Sequence, residues 1–231
     1  MLGYYNYTVV LTYLSLVSAG LGITVTLIGQ GHPFIGTFFL LFCGLCDAFD
    51  GEVARHKKNR TEEEIKFGIQ IDSLSDLVAF GVLPAIIGEA MIWQNPEFSM
   101  LPRLHTGNRL DVLVPIITML VMMLYVLMAM IRLAYFNVME EKRQQEEGGK
   151  RKIYTGLPVT SAALIFPFVM LLQFMTPRDL TVVYYGVMLL VGYLFVSKIE
   201  VRKPGIKGVA ILCGIGAVEF IVMLVLRAGA R

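Results

Sequence analysis

The sequence predicts an all-α, polytopic integral membrane bundle of six core transmembrane helices and a seventh, and three observations carry that prediction. The chain is 56% hydrophobic and 16% charged over 231 residues, whereas soluble domains run near about 45–50% apolar and about 25% charged. Its mean hydropathy is +0.67. The apolar residues gather into runs of the roughly 20 that a helix needs to cross a bilayer, separated by short polar connectors. A formal net charge of +2, with most of its bases in short connectors rather than along a stripe, is too small to argue for nucleic acid. No repeat or composition shift divides the chain, so residues 1–231 read as a single transmembrane domain.

The first run is 7–28; no basic stretch precedes it, so it is expected to be a retained helix rather than a cleaved leader. Gly29-Gln30-Gly31 breaks it. Pro33 stands where helices favour proline, at the start of a second span over 34–55. Residues 56–66 are a polar connector, and Thr61 with Glu64 three positions on predicts a capping box. The third helix then covers 62–93 with Pro84 inside it, which membrane helices tolerate when neighbours satisfy the freed carbonyl. Residues 94–110 form a loop holding Pro96 and Pro102, and 112–138 is the fourth span. The charged stretch 140–152 is read as a helix extension followed by a flexible loop at Gly148-Gly149. Residues 157–175, 180–196 and 206–226 complete the set. Cys43, Cys46 and Cys213 lie in apolar runs; a C-x-x-C without a second pair is read as buried thiols.

Basic residues orient the bundle. Connectors 56–66, 140–156 and 197–207 hold thirteen Lys and Arg, and the opposite connectors hold three. The positive-inside rule puts the first set in the cytoplasm. The expectation is a protein of the cytoplasmic membrane whose chemistry flanks connector 56–66 on the cytoplasmic side.

That chemistry is four aspartates. A carboxylate at the centre of a membrane span costs about 2.5–3.5 kcal/mol, so such residues are rare there and usually functional. At 100° per residue, Asp47, Asp50, Gly51 and Ala54 share one face of the second helix, and Gly68, Asp72 and Asp76 share one face of the third. If the two faces meet, the carboxylates form one pocket of hard oxygen donors suited to Mg²⁺ or Mn²⁺. Two such ions can clamp a pyrophosphate. Gly51 and Gly68 would let ligand and backbone approach closely, and Arg55 would reach phosphate with its planar fork. Two other readings stay open at this point: the aspartates pair with Arg55, Lys57, Lys58 or Arg60, or they form the ion site of a cation transporter.

The stretch resembles the signature of the CDP-alcohol phosphotransferase family, D-x-x-D-G-x-x-A-R followed by G-x-x-x-D-x-x-x-D. Asp47, Asp50, Gly51, Ala54, Arg55, Gly68, Asp72 and Asp76 match every fixed position, although the twelve residues between Arg55 and Gly68 exceed the usual gap. The resemblance implies an integral membrane enzyme in which an alcohol attacks a CDP-linked lipid and CMP leaves. It implies two divalent ions held by Asp47, Asp50, Asp72 and Asp76, with Asp76 also the general base. It implies contacts to the CDP moiety from Gly51, Ala54, Arg55 and Gly68, and a homodimer.

Further stretches are similar to the serine-using branch of that family, the phosphatidylserine synthases: Phe80-Gly81-Val82-Leu83-Pro84-Ala85, Arg132-Leu133-Ala134-Tyr135-Phe136-Asn137, Gly156-Leu157-Pro158 and Phe195-Val196-Ser197. Tyr135, Thr155 and Ser15 depart from the branch pattern. The implied reaction joins the phosphatidyl group of CDP-diacylglycerol to L-serine, giving phosphatidylserine. Arg132, a charge deep in an apolar run, suits a serine carboxylate, and Asn137 five residues on would help orient the acceptor. Snorkelling of Arg132 to the interface is the competing reading. Glycerol 3-phosphate, inositol and inositol phosphate remain alternative acceptors.

Overall fold

The computed structural model describes residues 3–4, 7–28, 32–57, 60–94, 109–146, 153–203 and 205–229. A 3₁₀ turn at Tyr7–Val9 leads into α1 (Val10–Leu27), and α2 (Pro33–His56) begins on its proline. The capping box forms at α3 (Glu62–Asp76): the Glu64 amide donates to Thr61 Oγ1 and the Thr61 amide donates to the Glu64 carboxylate, both at 3.2 Å. A π-helical stretch, Leu77–Val82, joins α3 to α4 (Leu83–Gln94). Then come α5 (Arg109–Glu146), α6 (Ala162–Met175), α7 (Thr181–Val196) and α8 (Ile206–Gly229).

Five helical segments are long and apolar enough to cross a membrane, and the apolar helices at Val159–Met175 and Thr181–Val196 are shorter. All seven lie where the sequence places spans. The loop with Pro96 and Pro102 and the loop expected at Gly148-Gly149 lie outside the described residues.

Two features depart from the sequence reading. The fifth segment does not begin as an α-helix at residue 157. Strand β1 (Ile153–Thr155) pairs antiparallel with β2 (Glu200–Arg202), and a 3₁₀ turn at Val159–Ser161 precedes α6. The turn between β1 and α6 needs Gly156, whose φ is +79°. A side chain there would be strained by conformation, and its Cβ would lie 2.6 Å from the Phe195 carbonyl oxygen. The second departure is the π-helical stretch, where the Leu83 amide donates to the Val78 carbonyl five residues back.

Pro84 explains much of that stretch. It has no N–H to give to the turn before it, and its ring crowds the carbonyl four residues earlier. That carbonyl, on Phe80, accepts from the Tyr125 hydroxyl of α5 at 2.6 Å. The Pro84 carbonyl accepts from the Tyr184 hydroxyl of α7 at 2.8 Å. Both tyrosines are fully buried beside Phe166. Tyr125 thus satisfies the carbonyl that the proline frees, Tyr184 adds a bond to the carbonyl of Pro84 itself, and the two fix α4 in the core. Tyr125→Phe leaves the Phe80 carbonyl buried without its partner and is expected to cost about 1–3 kcal/mol. Thermal unfolding of the detergent-solubilised protein measures it.

Around this centre the long helices turn large apolar side chains outward. The candidate span in α5 is 22% buried and that in α8 is 11% buried. Such faces match a hydrocarbon surround rather than water. Cys43 and Cys46 are buried free thiols, as expected, and Cys213 is free and partly buried.

Candidate active site

Helix α1 packs against both α2 and α3 and holds them in register. It does so with a polar edge. Thr8, Thr12, Ser15 and Ser18 recur at spacings of three and four, and all are buried. The Ser75 hydroxyl donates to the Thr12 carbonyl at 3.1 Å, next to Asp76. Ser18 donates to the Phe39 carbonyl at 3.2 Å, and the Cys43 thiol to the Ser15 carbonyl at 3.3 Å. These ties set the depth of α3 against α2, and with it the height at which the aspartates meet.

The two acidic faces do meet. Asp47 and Asp50 from α2 and Asp72 from α3 each present a carboxylate oxygen, and these oxygens all lie within 4.8 Å of one another. Asp76 stands one helical turn along α3 from Asp72, is 8% exposed, and lies within electrostatic reach of the other three. It is not part of the three-residue convergence itself.

Among the described residues, no basic side chain pairs with any of the four. Lys57 is held by Glu64 at 2.8 Å, Lys66 by Glu62 at 2.8 Å and Arg143 by Glu140 at 2.6 Å. Of the connector bases, Lys57 and Arg60 therefore do not pair with the aspartates; the side chains of Arg55 and Lys58 lie outside the described residues. Two like unit charges 4 Å apart repel by about 4 kcal/mol at an effective dielectric constant of about 20. A set of three, half-buried and without a basic partner among the described residues, calls for a positive counter-charge. The donor set is all carboxylate oxygen, the chemistry of hard divalent cations, and the spacing suits oxygens gathered about a cation.

The remaining residues singled out in the sequence fall in three places. Gly51 follows Asp50 on α2; Ala54 and Arg55 lie in its last turns, and their side chains lie outside the described residues. Gly68 begins the acidic face of α3, and the Arg60 guanidinium covers it. Asn137 donates to the Ser73 hydroxyl at 2.8 Å, which brings α5 to the residue beside Asp72. Arg132 is 5% exposed, its Nε donates to the Leu157 carbonyl at 3.1 Å, and its guanidinium lies 5.2 Å from the Phe136 ring centre. It is a buried brace between α5 and the turn at Gly156, not a side chain snorkelling to the interface. The structure thus joins Asn137 directly to the acidic helix and joins Arg132 to the turn before α6.

Sequence reasoning missed the Ser73–Asn137 and Ser75–Thr12 ties and the seat of Arg60 on Gly68. The hydroxyl spacing along α1 is visible in the sequence and points to a buried polar edge. The other ties join residues far apart in the chain, or join a connector to a helix, and leave no periodic signal.

Residues 5–197 match the CDP-alcohol phosphatidyltransferase family. The CDP-diacylglycerol–serine O-phosphatidyltransferase of Saccharomyces cerevisiae is 34% identical over 143 residues, covering 61% of this chain and 43% of that protein. The Helicobacter pylori strain J99 protein of the same name is 30% identical over 193 residues, 82% of this chain and 69% of the relative. The archaetidylserine synthase of Methanothermobacter thermautotrophicus is 32% identical over 189 residues, 81% of this chain and 66% of the relative. The chain thus spans less than half the length of the yeast relative.

Proposed function

The chain belongs to the CDP-alcohol phosphatidyltransferase family, and from that footing we propose that it transfers the phosphatidyl group of CDP-diacylglycerol to the hydroxyl of L-serine. CMP leaves and phosphatidylserine forms. The observation that carries the reading is the convergence of Asp47, Asp50 and Asp72 within 4.8 Å, with Asp76 buried one turn further along α3. The serine assignment is supported by the names of the relatives, which share that headgroup.

Asp47, Asp50 and Asp72 would hold divalent cation, Mg²⁺ or Mn²⁺, with Asp76 completing the set for a second ion. Bound ions supply neutralisation of the pyrophosphate and of the charge that develops on the leaving oxygen. Gly51, Ala54, Arg55 and Gly68 are assigned to the CDP moiety. Asp76 takes the proton of the serine hydroxyl. The serine oxygen then forms its bond to the lipid-linked phosphorus, and the bond from that phosphorus to the CMP oxygen breaks with its electron pair on CMP. Burial of Asp76 keeps water, the competing nucleophile, from the proton acceptor. Asn137 lies beside Asp72 through Ser73 and is assigned to the acceptor, and Arg132 on the same helix is assigned to the acceptor's carboxylate. Loop charge supports a cytoplasmic-facing site in the cytoplasmic membrane. The family resemblance supports a homodimer.

An acceptor panel tests the assignment. Purified protein in detergent with Mn²⁺ receives L-serine, glycerol 3-phosphate, inositol or inositol phosphate, with diacyl and diether CDP-lipids as donors. CMP release is expected with L-serine. Release with another acceptor and none with serine would reassign the product within the family.

A further inference from the structure

The connector between α2 and α3 carries a residue to which none of the roles above is assigned. Arg60 folds back from the start of the capping box and sets its guanidinium against Gly68. A Cβ on Gly68 would lie 2.8 Å from Arg60 Nη2. The direction of that Cβ defines the face of α3 on which Gly68, Asp72 and Asp76 follow one another at four-residue intervals. The guanidinium therefore sits on the acidic face itself, about 6 Å along the helix axis from the level of Asp72.

Its bonding is incomplete there. Nη2 donates to the Glu64 carbonyl at 3.3 Å, and Nε is buried with no hydrogen-bond partner among the described residues. The nearby glutamates are engaged elsewhere: Glu64 with Lys57 and with the helix cap, Glu62 with Lys66. A buried guanidinium N–H left unpaired is costly. The planar fork of arginine is matched by the oxygens of a phosphate, which it binds with two parallel hydrogen bonds.

We propose that Arg60 binds the phosphate that leaves with the nucleotide. It would hold one end of the pyrophosphate of the CDP-lipid while the aspartates hold the other end through cation. The inference rests on the reaction proposed above and deepens it at the donor site. Gly68 then has a definite role. Without a Cβ it seats the guanidinium on the acidic face, and a methyl group there pushes the guanidinium off. Because the displaced atom is the free end of a flexible side chain, Gly68→Ala moves Arg60 at little cost to the fold.

The test is equilibrium binding of CMP with Mn²⁺, beside steady-state kinetics with CDP-diacylglycerol and L-serine. Arg60→Gln is expected to weaken CMP binding and raise the donor KM roughly 10–100-fold, the scale of a lost charge-assisted pair. The serine KM should stay within about twofold, a split that a general structural defect would not produce. Added guanidinium ion should restore part of the loss. Gly68→Ala should weaken CMP binding in the same direction and add nothing to Arg60→Gln in the double variant. It carries the test alone if Arg60→Gln does not fold. Wild-type CMP affinity in Arg60→Gln, or in Gly68→Ala when that variant stands alone, overturns the assignment and leaves the family reaction intact. Failure of the wild-type protein to bind CMP or release it overturns the reading beneath.

Discussion

Replacing Asp76 by asparagine is expected to lower serine-dependent CMP release by roughly 10²–10⁴-fold, the usual contribution of a positioned proton acceptor. Asp76 is 8% exposed and stands within reach of Asp47, Asp50 and Asp72. The amide is nearly isosteric with the carboxylate, so the packing of Ser75 against Thr12 is retained and the fold should survive. Removing one carboxylate from the cluster of four also relieves repulsion in the metal-free protein. The thermal midpoint of Asp76→Asn without added metal should therefore equal or exceed that of the wild type. Rate and stability would move in opposite directions, which distinguishes a chemical role from a folding defect. CMP release and thermal unfolding on one preparation decide the point. A variant that keeps near wild-type turnover removes Asp76 from the role of base.

The second large effect concerns the counter-charge. Chelation is expected to abolish CMP release, and Mg²⁺ or Mn²⁺ to restore it. Metal binding to the folded state also stabilises it, by about 2.7 kcal/mol at 100 times the dissociation constant. Mn²⁺ should therefore raise the thermal midpoint of the wild type. In Asp50→Asn and Asp72→Asn the rise should be much smaller, because each variant turns one of the three converging carboxylates into a neutral amide. In the absence of metal these same variants should be more stable than the wild type, since each removes a repulsive neighbour. Equal stabilisation of wild type and variants by Mn²⁺ would place the ion elsewhere on the protein.

Much of this site was legible in the sequence because it is built from helical periodicity. Spacings of three and four put Asp47 with Asp50, and Asp72 with Asp76, on single helix faces. The capping box at Thr61 and Glu64 and the start of α2 at Pro33 are local signals, and both formed as read. The features that were not legible depend on tertiary partners. The π-helical stretch Leu77–Val82 is accommodated by hydroxyls of Tyr125 and Tyr184, 45 and 100 residues from the carbonyls that they satisfy. The pairing of Ile153–Thr155 with Glu200–Arg202 joins two three-residue strands too short to show alternation. Arg132 was expected to meet an acceptor, and its Nε is bonded to the Leu157 carbonyl. That bond keys α5 to the Gly156 turn and leaves the residue's contribution to serine binding as part of the proposal.

The arrangement also separates an enzyme from a cation transporter built on the same carboxylates. A transporter needs the ion to leave on the far side of the membrane, whereas an enzyme needs its substrates to meet at one rim. The Arg60 seat over Gly68 and the Asn137 contact beside Asp72 place a guanidinium and a polar amide beside the acidic helix face. Neither is required for ion passage, and both suit a pyrophosphate donor and a small polar acceptor.

The most direct measurement is the stoichiometry of CMP and phosphatidylserine formed by the purified protein from CDP-diacylglycerol and L-serine, with and without chelator. The expected result is one phosphatidylserine per CMP, dependent on Mg²⁺ or Mn²⁺ and lost in Asp76→Asn. No CMP from any acceptor, together with metal flux into proteoliposomes, would contradict it.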